Sequence, residues 1–462
     1  MDHPVTSSSR RSTKSGKAAL FCFAVALFSL PTGPVVAQKY NLFQTTLPNG
    51  LQVIVIENPI VPLVTIEINV RNGSYTEPPE YNGLSHLYEH MFFKANKSIP
   101  SQEAYLDRTR ELGMSWNGTT SEERVNYYFT LSKDSLLQGL AFMEAAIETP
   151  LFLQTELEHE RPVVTGEYDR AESNPFFQLT RAVDKKVWYK YFSRKNVLGD
   201  RSTILTATQE KMQTIQKRYY IPNNSALLVS GDVRHEEIFK LAGEYLGDWE
   251  KGTDPFVSLP VPEHPPIEKS ETVIVEQPVN SIAIYLRMQG PSLLRDTKAT
   301  YAADVFSFIL GQKSSHFQQA LVESGLCTNA GVSYYTLNHT GPITITAQMT
   351  ADKFTNAREA LTREMNKFLD HDYFTDEQLE NAKTQLEISQ EYGQETPSND
   401  VHNVGFWWSI AGGLDYYLNY IDNLKKITRE DLANYVSTYI HGAPVVEGIL
   451  VSPEDRQKLS LR

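Results

Sequence analysis

The sequence predicts a chain of mixed α and β structure built as two homologous halves. Three observations carry that reading. Strand-like and helix-like segments alternate from about residue 50 onward, a proline-rich stretch interrupts them midway, and the same order of segments then begins again. At 462 residues, 41% hydrophobic and 21% charged, the chain is long enough for several domains and apolar enough to bury a core in each.

The first residues stand apart from this pattern. Arg10, Arg11, Lys14 and Lys17 precede the apolar run AALFCFAVALFSL (18–30), and VVAQ (35–38) offers Ala37 for cleavage. That is the pattern of a secretory signal peptide over residues 1–37, with an apolar core too short for a stable membrane anchor after cleavage. The expectation is an exported protein, periplasmic or secreted. Of the two cysteines, Cys22 leaves with the signal, so Cys327 has no internal disulfide partner. A formal charge of −13 argues against a nucleic-acid partner.

LQVIVIE (51–57) and LVTIEINV (63–70) are rich in β-branched residues and predict strands. Helices are expected near 84–94 and 101–112, strands at 114–120 and 125–131, and helices over 133–148 and 153–172. SALLVSGDV (225–233) predicts a strand, and the amphipathic segment 236–249 a helix. The stretch 251–271 holds five prolines and no helical periodicity, as a linker does. It divides a first half, 38–250, from a second, 272–462. VIVIENPIVPLVTIEINV (53–70) is echoed by TVIVEQPVNSIAIYLRM (272–288), ELGMSWNG (111–118) by ESGLCTNAG (323–331), and FLQTELEHE (152–160) by FTDEQLENA (374–382). Three echoes in one order make an internal duplication with a period of about 220 residues.

The copies differ in one respect. GLSHLYEHMFF (83–93) carries His86, Glu89 and His90 at i, i+3 and i+4, one face of a helix. The corresponding helix of the second half, YAADVFSFILG (301–311), has no histidine. Two histidines four apart can reach one zinc ion, and a glutamate beside them can serve as general base toward water. This is the inverted order of the His-Glu-x-x-His motif. A catalytic zinc needs a third protein ligand. Glu160 and Glu167, two helical turns apart in ELEHERPVVTGEYDR (156–170), are both candidates, and spacing does not choose between them. Pro162 predicts a kink or a helix start beside Glu160.

HLYEH, the pair Glu160 and Glu167, and YYIPNNSALLVSGDV (219–233) together resemble the insulinase/pitrilysin family, over about residues 44–452. The resemblance implies one zinc ion per chain on His86, His90 and Glu167, with Glu89 as the catalytic base and Glu160 in a supporting role. It implies an α+β fold whose halves, each a mostly antiparallel sheet with packed helices, form a clamshell around a peptide. The first half would be the zinc-bearing domain, and the second would carry no metal ligands. MSWNGTTSEERVNYYFTL (114–131) is similar to the family's substrate strand, with Asn117 and Thr119 at the matching positions.

One feature of that family is missing. Single-chain members carry in the second half a substrate-clamping arginine, then a tyrosine seven residues on. Aligned on Phe317, those positions fall on Leu321 and Thr328, and no arginine occurs between Arg295 and Arg358. The expectation is therefore a zinc endopeptidase subunit, resembling the zinc-bearing chain of the mitochondrial processing peptidases. A homologous partner, forming a heterodimer, would supply the arginine and tyrosine. The alternatives are a non-catalytic scaffold with a relic metal site and a self-sufficient single-chain peptidase.

Overall fold

The computed structural model describes residues 41–392 and 396–461. The expected signal peptide lies outside the described residues. Residues from Tyr40 onward form one compact unit.

The first half forms a sheet of six strands: β1 (Leu42–Thr46), β2 (Gln52–Glu57), β3 (Leu63–Val70), β4 (Ser115–Thr120), β5 (Val125–Ser132) and β6 (Ser225–Gly231). Their order is β1-β2-β6-β3-β5-β4, so β4 is an edge strand. The second half contributes β7 (Glu271–Glu276), β8 (Ile282–Gln289), β9 (Asn329–Tyr334), β10 (Pro342–Met349) and β11 (Val446–Val451). Their order is β7-β11-β8-β10-β9. Leaving out β1, the two sheets match strand for strand. The pairs β2–β6 and β7–β11 are parallel, and every other pairing is antiparallel. The duplication read from three sequence echoes is thus carried through the topology.

Five helices of the first half position the site: α1 (Leu84–Phe92), α2 (Gln102–Glu111), α3 (Leu136–Glu148), α4 (Gln154–Glu172) and α5 (Pro175–Val187). Pro162 lies inside α4 and starts no new helix. The stretch expected as a plain linker holds one short helix, Pro255–Ser258.

Both faces of β3 are covered, which explains its almost continuous burial. Val64, Ile66, Ile68 and Val70 join Leu84, Leu87, Met91 and Leu140 in the first-half core. The opposite sheet face lies beneath a helix from the second half, Pro397–Ala411. Its Val401, Val404 and Trp408 pack on Ile54, Ile56, Ala226 and Leu228. The exchange is reciprocal: Leu179, Val183 and Val187 of α5 pack on Ala283, Val446 and Leu450 of the second sheet. Each crossing is close enough to require glycine. A Cβ on Gly405 would lie 2.4 Å from Asn69 Nδ2, and one on Gly448 would lie 2.4 Å from Val183 Cγ2. An ion pair between Arg287 and Asp184 at 2.6 Å ties β8 to α5. At the hairpin ends Glu123 accepts from Asn338 N at 2.7 Å and His339 N at 3.0 Å. Each half completes the core of the other.

Candidate metal centre

Helix α1 has an apolar face and a polar one. Leu84, Leu87, Tyr88, Met91 and Phe92 are buried in the first-half core, while His86, Glu89 and His90 are partly open. Its first residue follows Gly83, which is left-handed and provides no side-chain cap. The cap comes from Glu77. Its carboxylate accepts from Gly83 N at 2.7 Å and Ser85 N at 2.6 Å, so a buried anion sits at the positive end of the helix. Burial pushes the Glu77 carboxyl up to about 7, against the pull of those hydrogen bonds.

Helix α4 crosses α1 and presents both glutamates to it. His86 Nε2 and His90 Nε2 stand 3.5 and 3.6 Å from one oxygen of Glu167. Glu160 turns to the other side of the same imidazole, 2.8 Å from His90 Nδ1, and its second oxygen takes Lys94 Nζ at 2.7 Å. The alternatives that spacing leaves open are thereby separated. Glu167 joins the two Nε2 atoms, while Glu160 holds the ring of His90 from behind.

The donor set suits zinc. Ligands bonded at about 2.0–2.1 Å in a tetrahedral site stand roughly 3.4 Å apart. The Glu167 oxygen stands close to that distance from each imidazole Nε2, at 3.5 and 3.6 Å, and all three candidate ligand atoms lie within 4.8 Å of one another. The imidazoles also differ in a useful way. Burial and the neighbouring His90 hold the His86 pKa down to about 4, so the ring is neutral at neutral pH and has one nitrogen lone pair to offer a metal. Burial pulls His90 down too, but the hydrogen bond to Glu160 and the charges of Glu167, Glu160 and Glu89 outweigh it and raise the pKa. A cation between the rings would replace that proton.

Glu89 points toward β4. Thr120 Oγ1 donates to its Oε2 at 2.6 Å, which leaves Oε1 for another partner. Burial raises its pKa, with the Thr120 hydrogen bond as the main opposing influence. Thr120 faces α1, and the alternation of a strand sends Asn117 and Thr119 to the opposite face, where both are exposed.

The twin site in the second half has no histidine. There Asp304, Ser307 and Phe308 repeat the i, i+3, i+4 spacing in a cavity of about 450 Å³. Leu321 is fully buried in the second core, and Thr328 is bound through N and Oγ1 to Gln348 O. Neither position carries a guanidinium or a phenol.

Sequence reasoning missed Glu77, Lys94 and Thr120. Lys94 had a weak signal, four residues after His90 but two residues past the end of α1. Thr120 had one in the alternation of β4. Glu77 had none, since its role depends on a turn that folds back.

Residues 52–200 match the family described as Insulinase (Peptidase family M16), and residues 206–386 match that described as Peptidase M16 inactive domain. The chain belongs to the insulinase family. A protein from Rickettsia bellii named "Uncharacterized zinc protease" is 23% identical to this insulinase-family chain, over 81% of the chain and 89% of its own length. A probable mitochondrial-processing peptidase subunit beta from Schizosaccharomyces pombe is 27% identical over 46% of each chain. The fold is shared with a protease from Helicobacter pylori, at a TM-score of 0.79 and 20% identity. That match covers 89% of this chain and all (100%) of the other.

Proposed function

We propose that this insulinase-family chain is the zinc-bearing subunit of an exported endopeptidase that hydrolyses short or unfolded peptides. The carrying observation is the convergence of His86 Nε2, His90 Nε2 and a Glu167 oxygen, with Glu89 beside them. Family membership and relatives named as zinc proteases support it.

In this reading His86, His90 and Glu167 hold one zinc ion per chain. Zinc bound there supplies Lewis-acid polarisation of the scissile carbonyl and acidifies water. Glu89 Oε1 takes the proton from the attacking water while Thr120 holds Oε2, and the same carboxyl then delivers it to the leaving amine. Burial favours a carboxyl able to hold that proton transiently. Glu160 orients His90 through Nδ1, and Lys94 fixes Glu160. The free edge of β4 is suited to add an extended peptide, with Asn117 and Thr119 on the strand that receives it.

The second half offers no arginine or tyrosine at the expected clamp positions, since Leu321 is core and Thr328 is bound to β10. A homologous partner chain supplies them in this reading. The similarity to a processing-peptidase subunit is in keeping with that.

The experiment is cleavage of internally quenched peptides by the mature chain, with chelator and after zinc is restored. Chelation should abolish cleavage, and about one equivalent of zinc should restore it. Cleavage that survives complete zinc removal would refute the reading.

A further inference from the structure

The hairpin after β4 holds three charged residues in a row, Glu122, Glu123 and Arg124, and a fourth charge, Glu67, lies on β3. All three carboxylates are already engaged. Glu122 pairs with Lys195 at 2.7 Å, Glu123 with His339 Nδ1 at 2.8 Å, and Glu67 with His402 and Asn69. Arg124 is left over. Among the described residues it forms no contact ion pair, although the charge of the buried Glu67 acts on it from a distance; its hydrogen bonds run to His402 O at 3.0 Å and Thr119 Oγ1 at 3.3 Å. Its Nε is buried without a partner. A largely buried guanidinium with no carboxylate in contact is costly to fold around.

Its surroundings suit a ligand more than a structural role. The guanidinium lies over the Phe406 ring at 5.6 Å, and Tyr335, 42% exposed, lies against the same ring. Thr119, to which Arg124 donates, is exposed on the free edge strand, on the face away from Glu89. Three of the five N–H groups, the buried Nε–H among them, remain unused, in the planar geometry that carboxylates accept.

We propose that Arg124, with Phe406 and Tyr335, forms a subsite on the far side of β4 that binds a carboxylate of the peptide. The proposal rests on the reading of β4 as the substrate strand. Side chains of a peptide paired to β4 alternate between the zinc face and the Arg124 face. A carboxylate should therefore be favoured at alternate positions, not at neighbouring ones. The same chemistry is offered by an Asp or Glu side chain or by the C-terminal carboxylate.

The test is binding of fluorescent peptides, by anisotropy, to zinc-loaded Glu89→Gln protein, which reports affinity without turnover. One arm moves a single Glu, compared with Gln, along an otherwise neutral peptide. The other compares a free C-terminal acid with its amide. We expect a preference of roughly tenfold or more for the acid form in at least one arm, weakening as salt rises. A preference at alternate internal positions assigns the side chain, and one confined to the terminus assigns the C-terminus. Arg124→Gln should bring the ratio close to one, and Arg124→Glu should reverse it toward Lys. Peptides that bind Glu89→Gln protein with Arg124 intact and show no preference in either arm overturn the subsite, as does a preference undiminished when Arg124→Gln is added. No binding of any peptide overturns the substrate-strand reading and the subsite with it. Absence of any preference in the protein with Arg124 intact overturns the subsite even if the Arg124 variants fail to fold.

Discussion

Replacing Glu160 by Gln tests the division of labour between the two glutamates of α4. Glu160 lies 2.8 Å from His90 Nδ1 and 2.7 Å from Lys94 Nζ, with side chains 16%, 10% and 8% exposed for His90, Glu160 and Lys94. Glutamine keeps the shape and one acceptor but removes the charge. Partners of this kind contribute about 10–100-fold to metal affinity, so zinc should bind more weakly by that factor without being lost. The second effect is on folding. Breaking a buried pair costs roughly 3–5 kcal/mol, and since the amide still accepts one hydrogen bond, about 1–3 kcal/mol is expected. Adding Lys94→Met should recover most of the stability but none of the zinc affinity, since the two effects act through different partners. Chelator competition measures the first quantity and denaturant unfolding of the metal-free protein the second. If Glu160→Gln empties the site while Glu167→Gln keeps full occupancy, the assignment of ligand and supporting residue is reversed.

Other consequences can be measured on the same protein. Glu89→Gln should retain zinc and fold yet lose peptide hydrolysis by about 10²–10⁴-fold, as steady-state assays with metal analysis will show. The isolated chain should cleave peptides feebly, and a homologous chain bearing the missing arginine and tyrosine should raise kcat/KM by roughly a hundredfold; full activity from the lone chain contradicts the two-chain account. Leu321→Ala should cost about 2–5 kcal/mol of stability in denaturant melts, as expected of a core residue. Burial pushes the Asp304 carboxyl from 3.8 up to about 7, although Tyr420 donates to it. Its ionisation opposes folding, so the contribution of Asp304 to stability is complete below the ordinary carboxyl range and falls away as pH rises toward 7. Asp304→Asn should remove about 1–3 kcal/mol of that fall, read from unfolding free energies at pH 4 and 8.

Local pattern and packing contributed differently to these readings. Strands 63–70 and 115–120 and helix α4 fall within a residue or two of expectation because their periodicity matches what they bury. The histidine motif was legible for the opposite reason: polar residues on one face of a helix whose other face is core. The choice between Glu160 and Glu167 was not legible, because both lie on the same face and differ only in their distance along α4 from α1. The exchange of α5 and helix Pro397–Ala411 between halves was also hidden. Their apolar faces show burial but not which sheet receives them. Arg124 reads in sequence as one charge in an ordinary turn, and its lack of a contacting carboxylate emerges only when the three carboxylates find other partners.

The most direct test of the central claim is the anomalous scattering of a zinc-loaded crystal of the mature chain, recorded on both sides of the zinc absorption edge. The account predicts one zinc peak per chain, bonded at about 2.0–2.2 Å to His86 Nε2, His90 Nε2 and an oxygen of Glu167, with Glu160 on His90 Nδ1 and not on the metal. A peak bound by Glu160 in place of Glu167, or no peak at this site in a preparation that cleaves peptides, would contradict it.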